Sequence, residues 1–214
     1  MPTTIEKIKT NLGLEPVPEY MTNGPYQMYD SGGCETAVGE FLFGLVKSIK
    51  PLRILETGLY SAISAMFMAD ALKDNGFGHL DCVEYEQIHI ERSKDRLSKM
   101  GLLPLVTVYN QSSLDFQPSG EYDLVHLDTE PFCRFSEFKK LYNFVKLGGF
   151  IIIHDLNELL GDRKSPWEDF VELIGDKIKD NEVQVIHLPT PRGITLFQRF
   201  SPTMAHWRLR TGKI

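Results

Sequence analysis

Five short apolar runs, separated by stretches patterned for helices, constrain what this 214-residue chain can fold into. They are residues 53–57 (RILET), 80–84 (LDCVE), 106–109 (VTVY), 122–128 (YDLVHLD) and 150–154 (FIIIH). Runs of this length, rich in β-branched residues, read as buried strands. Parallel neighbours need crossovers, so five strands alternating with helices predict a parallel sheet with helices on both faces. Two further runs, 183–188 and 194–200, are joined only by residues 189–193, which include the turn residues Thr190, Pro191, Arg192 and Gly193. So short a link makes that pair antiparallel. The expected architecture is a Rossmann-like three-layer α/β sandwich. Its sheet is seven-stranded and mostly parallel, with a C-terminal antiparallel hairpin.

The helices are legible between the strands. Val38, Phe41, Leu42, Leu45, Val46 and Ile49 recur at helical spacing before Pro51. Residues 62–73 read as a helix closed by Asp74, Asn75 and Gly76, and residues 87–99 as a charged helix with Gly101 past its end. Residues 135–146 carry Phe135, Phe138, Leu141, Tyr142 and Val145 on one face, and Gly148-Gly149 is expected to turn into the strand at 150. Ser165-Pro166-Trp167-Glu168 marks a further helix start, with a capping Ser, a Pro in the first turn and a Glu able to close a capping box. Residues 1–33, rich in Pro, Gly, Asn and Tyr, are expected to form an N-terminal arm or lid with a short helix near residues 5–12. Residues 34–200 form the main domain and residues 201–214 a basic tail.

Composition narrows the function classes. An apolar content of 42% with 24% charge is that of a globular protein, and no apolar run approaches the roughly 20 residues that span a bilayer. The polar start gives no secretion signal, so a cytoplasmic protein without a membrane partner is expected. A net charge of −6 argues against tracking nucleic-acid phosphates. Cys34, Cys82 and Cys133 are an odd set without metal-ligand spacing, and Cys82, inside an apolar run, reads as a small core residue.

An open α/β sheet binds its ligand beyond the carboxyl ends of its strands. The first strand ends in Glu56-Thr57-Gly58-Leu59-Tyr60-Ser61. Gly58 lets backbone approach a ligand closely, Glu56 can face an ammonium group, and the following helix offers N–H groups to a carboxylate. Glu84, ending the second strand, is placed to accept both hydroxyls of a ribose. Ser112 and Ser113 follow the third strand, Asp128 ends the fourth, and His154-Asp155 ends the fifth. His126 shares a face with Asp128 but lies deeper and reads as core.

The order ILETGLYSAIS, CVEYE, NQSSLDF, YDLVHLD and LGGFIIIHD, together with ETAVGEFL before it and SPWEDFVEL after it, resembles the class I methyltransferases that use S-adenosylmethionine. It is most similar to their small-molecule O-methyltransferase-like branch, often labelled methyltransferase domain 24, over about residues 34–200. The resemblance implies methyl transfer from S-adenosylmethionine to an oxygen of a small-molecule acceptor, such as a sugar or secondary metabolite. It assigns Glu56 and Gly58 to the methionine end of the cofactor, Glu84 to the ribose and Ser112 to the adenine side, with Tyr60, Ser61 and Asp128 also expected to bind the cofactor. Tyr60 and Ala62 stand where relatives carry further glycines.

Relatives that methylate catechols hold magnesium with an acid after the fourth strand and an Asp-Asn pair after the fifth. Asp128 and Asp155 match two of these ligands, while Leu156 stands at the Asn position and Asn157 one residue later. A divalent cation such as Mg is therefore one expectation. Asp128, Asp155 and His154 are the expected catalytic residues, His154 because an imidazole titrates near neutrality. Alternation along a strand would separate His154 from Asp155 unless the strand has ended, which favours Asp155 and Asp128 facing the site. A homodimer is compatible with the sequence. The competing readings are an NAD-dependent oxidoreductase on a Rossmann sheet, whose phosphate loop needs more glycines and no leading acid, and a relative that binds cofactor without turnover.

Overall fold

A computed structural model describes residues 2–20, 24–156, 175, 177–178 and 182–200. Seven strands form one mostly parallel sheet. The chain divides into two compact units, Met1–Gln117 and Pro118–Ile214.

The first unit opens with α1 (Thr4–Leu12), capped by Thr3 and Glu6 in a reciprocal capping box. Thr4 Oγ1 donates to Asp70 at 2.8 Å and Lys7 Nζ reaches the same carboxylate at 2.8 Å, which ties the arm's helix to the later helix that carries Asp70. The rest of the arm holds a short antiparallel ladder that the sequence did not announce, β1 (Val17–Pro18) against β2 (Gln27–Met28). Helix α2 (Thr36–Ile49) ends where Lys50 turns left-handed before Pro51. Then β3 (Arg53–Thr57), α3 (Ile63–Asn75), β4 (His79–Glu84), α4 (Gln87–Lys99) and β5 (Val106–Asn110) alternate as expected. Strands β3 and β4 pair in parallel from Arg53↔His79 to Thr57↔Val83, and β4 and β5 from Leu80↔Val106 to Glu84↔Asn110. These registers bring Thr57, Glu84 and Asn110 out at one end. Every residue of α3 from Ile63 to Leu72 is buried, so this helix is a core element rather than an amphipathic one.

The second unit contains β6 (Tyr122–Leu127), α5 (Pro131–Leu141), β7 (Val145–His154), β8 (Val183–Leu188) and β9 (Ile194–Arg199). Strands β6 and β7 are parallel, whereas β9 runs antiparallel to both β7 and β8. Ile151, Ile152 and Ile153 are all buried, as a strand covered on both faces requires. Two boundaries differ from the sequence reading. The helix expected at 135–146 starts at Pro131 and ends at Leu141, because Pro131 supplies a pre-set first turn. Strand β7 begins at Val145, so Gly148-Gly149 lie inside it, at an irregularity where the register with β6 passes from Tyr122↔Val145 to Leu124↔Phe150. The helix start expected at Ser165 and the basic tail lie outside the described residues.

Candidate functional site

In the first unit the loop after β3 is built on left-handed backbone. Gly58 has φ 82°, Tyr60 φ 41° and Ala62 φ 61°. A Tyr and an Ala thus carry left-handed backbone here beside the glycine. Contacts from α4 hold it in place. Ser93 Oγ and Arg92 donate to the Tyr60 carbonyl at 3.0 and 3.2 Å, and Arg96 donates to the Ser61 carbonyl at 2.8 Å. Arg92 also lies over the Tyr60 ring, 4.7 Å from its centroid, and His89 meets that ring edge-on at 4.8 Å. Left-handed backbone costs a non-glycine residue about 1–2 kcal/mol. A cation–π contact and an aromatic pair each return about 0.5–1.5 kcal/mol. The Tyr60 conformation is therefore sustained by its ring contacts.

Glu84 organises the same loop from β4. Its Oε2 accepts from the backbone N–H groups of Leu59 and Tyr60 at 3.2 and 3.0 Å, and its Oε1 from those of Tyr85 and Glu86 at 2.8 and 2.9 Å. Four amide hydrogen bonds to one carboxylate fix its position. Glu56 is fully buried, accepting from Ser64 Oγ at 2.5 Å and from the Cys82 thiol at 3.6 Å. Burial, reinforced by the Glu56 charge, pushes the Cys82 thiol well above its ordinary range, consistent with the core role read from sequence. Ser112 opens a turn in which its Oγ accepts from Leu114 N–H at 3.2 Å. Its neighbour Gln111 donates its backbone N–H to the Glu84 carbonyl at 3.1 Å. Glu56, Gly58, Tyr60, Ser61, Glu84 and Ser112 are thus gathered at one end of β3, β4 and β5.

Asp128 lies in the second unit, with His154 and Asp155. Strand β7 ends at His154, and Asp155 turns left-handed with φ 60°. The strand's alternation is broken at that residue, so both side chains reach Asp128's neighbourhood, where the sequence favoured Asp155 alone. His154 Nδ1 lies 3.0 Å from Asp128 Oδ1 and 3.2 Å from Asp155 Oδ1. Facing two carboxylate oxygens, that nitrogen carries the proton when both acids are ionised. Burial alone would raise the Asp128 carboxyl, but the charge and hydrogen bond of His154, with the charges of His126 and Arg134, hold it down at about 2. His126 is fully buried, as expected of a core residue.

One member of this cluster escaped the sequence reading. Arg134, 2% exposed, rises from the start of α5 into the carboxylates. Its Nη2 lies 3.0 Å from Asp155 Oδ2 and 3.5 Å from Asp128 Oδ1. The same guanidinium donates to the carbonyls of His154 and Thr129. Thr129 Oγ1 donates in turn to the buried Glu137 at 2.7 Å. A second buried arginine, Arg192 of the β8–β9 turn, brings Nε to 3.5 Å from Asp155 Oδ1. The available signal was Arg134's place near a helix N-terminus, where the macrodipole favours acids and a cation needs another reason to be present.

The ligand atoms of Asp128, His154 and Asp155 lie within 4.8 Å of one another, close enough in principle to hold a cation. The surrounding charge does not fit a divalent one. Two carboxylates already face two guanidiniums, and a +2 ion about 4 Å from Arg134 would meet a repulsion of about 8 kcal/mol at an effective dielectric near 20. Hard cations also want six or more oxygen ligands, and Leu156 offers no side-chain oxygen. Asn157 lies outside the described residues.

Residues 55–156 match the family model described as a methyltransferase domain. Caffeoyl-CoA O-methyltransferase 1 of Nicotiana tabacum is 27% identical, the match covering 76% of this chain and 75% of that protein. The corresponding enzyme 1 of Arabidopsis thaliana is 25% identical over 76% of this chain and 70% of its own length. Among solved structures, a putative O-methyltransferase from Klebsiella pneumoniae matches with TM-score 0.70 at 19% identity, covering 92% of this chain and 88% of that one. The Bacillus cereus O-methyltransferase in complex with SAH matches with TM-score 0.67 at 18% identity, covering 93% and 92%. The strand-end acids, the left-handed loop after β3 and these matches point the same way: residues 55–156 match a methyltransferase domain, and the chain is similar to S-adenosylmethionine-dependent O-methyltransferases in sequence and fold.

Proposed function

We propose that this protein transfers a methyl group from S-adenosylmethionine to an oxygen of a small-molecule acceptor, a sugar or a secondary metabolite being the candidate classes. The observation that carries the reading is the β3–α3 loop, which keeps a glycine-type backbone at Gly58, Tyr60 and Ala62 and is anchored by Glu84. Gly58 and the first turn of α3 receive the methionine end, with Glu56, Tyr60 and Ser61 beside it. Glu84 takes the ribose hydroxyls in exchange for part of its amide bonding, and Ser112 takes the adenine edge. The buried acid at the head of this loop disfavours a pyrophosphate, and with it the oxidoreductase reading.

In the transfer, a lone pair of the acceptor oxygen attacks the methyl carbon, the carbon–sulfur bond breaks, and the sulfonium leaves as a neutral thioether. The acceptor's proton passes to the Asp128–His154 pair. Asp128, the most open of the three at 13% side-chain exposure, is the group we assign to hold the acceptor hydroxyl. Asp155 orients the imidazole and stabilises its protonated form, as the carboxylate of a triad does. Rate enhancement comes mainly from in-line positioning. We extend this reading to a cytoplasmic enzyme without nucleic-acid or membrane partners, consistent with the net charge of −6, with a homodimer compatible.

Calorimetry with S-adenosylmethionine and its demethylated product tests the cofactor assignment directly. Binding of both is expected, weakened at least ten-fold by Glu84→Ala. No heat from either at millimolar concentration removes the methyltransferase reading.

A further inference from the structure

We infer that Arg134 is the resident cation of the Asp128–His154–Asp155 cluster, standing where a divalent metal would otherwise sit, so that this enzyme works without one. The metal-binding geometry is present, with three donor atoms within 4.8 Å of one another. Its positive charge is supplied from inside the chain. Arg134 Nη2 is 3.0 Å from one carboxylate and 3.5 Å from the other. The guanidinium is 2% exposed and is fixed by the His154 and Thr129 carbonyls as well. These backbone contacts place the cation on the chain segments that carry all three site residues.

Charge accounting separates this arrangement from a metal site awaiting its ion. Asp128 and Asp155 contribute two negative charges, and Arg134 and Arg192 balance them at 3.5 Å or closer. Arg cannot release a proton to make room for a metal, as a Lys or His can. A +2 ion would enter a neutral, buried cluster and find its carboxylates already engaged. Arg134 is a positioning residue in this account. It holds the Asp128 and Asp155 carboxylates in place while the acceptor's proton moves to the Asp128–His154 pair, and it takes no part in bond making.

The inference rests on the methyltransferase reading for what the cluster does, but its test does not. Manganese(II) titrated into the full-length protein is followed by electron paramagnetic resonance, which distinguishes free from bound ion. The wild type is expected to leave the free-ion signal unchanged at millimolar Mn(II). Arg134→Met, which keeps the bulk and removes the charge, is expected to bind Mn(II) at least ten-fold more tightly, and Asp155→Asn in that background to reverse the gain. Methyl transfer by the wild type should survive dialysis against EDTA, and any activity of Arg134→Met should rise with added Mn(II). Tight Mn(II) binding by the wild type that Asp128→Asn abolishes overturns the inference, and needs no folded Arg134 variant. An Arg134→Met protein that folds and gains no affinity for Mn(II) overturns it equally. If S-adenosylmethionine fails to bind while the Mn(II) results hold, the cofactor reading falls and the guanidinium assignment stands.

Discussion

At the scale of single residues, the two sites depend on backbone conformations that side-chain identity does not advertise. Gly58, Tyr60, Ala62 and Asp155 all have positive φ, yet only the first is a residue type that adopts it without cost. Gly58→Ala is expected to lower stability by about 1–2 kcal/mol and to weaken S-adenosylmethionine binding, read by denaturant titration and calorimetry. Asp128 gives a pH-dependent prediction. Its folded value is lowered from the ordinary carboxylate range to about 2, so its stabilising effect is fully present above about pH 4 and disappears as pH falls toward 2. Asp128→Asn should therefore cost roughly 2 kcal/mol at pH 7, and the gap between variant and wild type should close in urea titrations taken at pH 2. The acids at strand ends were readable because strand ends bind ligand in such sheets. Arg134 was not, because its place in the site is set by how α5 starts, and the sequence reading began that helix at Phe135.

At the scale of elements, periodicity was a sound guide wherever an element is buried on one side or two. The spacing of α2, the charged α4 and the FIIIH run all led to the observed segments. It misled at junctions, where a single local choice decides. Pro131 started α5 earlier than its apolar stripe suggested, and the Gly148-Gly149 pair lies within β7 rather than before it. The packing of α2 on α3 offers a sharper test. A Cβ added at Gly39 would come within 2.4–2.9 Å of the Phe67 ring, and Phe67 is 1% exposed. Gly39→Ala should destabilise by about 1–3 kcal/mol despite its better helix propensity. Gly44→Ala in the same helix, where nothing lies within 4 Å, should be neutral or stabilising. Thermal melting of the two variants separates packing from propensity.

At the scale of the whole molecule, the mostly parallel sheet and the terminal hairpin were legible because parallel strands require crossovers and short links forbid them. The acceptor is not written in any comparable rule, since it depends on pocket shape rather than on periodicity. A global prediction follows from cofactor linkage. S-adenosylmethionine at about 100 times its Kd should stabilise the fold by about 2.7 kcal/mol, raising Tm by roughly 5–10 °C for a chain of this size. Glu84→Ala should reduce that shift at the same ligand concentration.

The loop after β3 carries one more implication. A glycine-rich loop has more conformational freedom to lose when a ligand fixes it, and that loss weakens binding. Here Arg92, Ser93 and Arg96 hold the carbonyls of Tyr60 and Ser61, and Glu84 holds the amides of Leu59 and Tyr60. The mould is set before the ligand arrives. Cofactor binding should then carry little entropic penalty from the loop itself, and freeing it with Tyr60→Gly should make that entropy markedly less favourable.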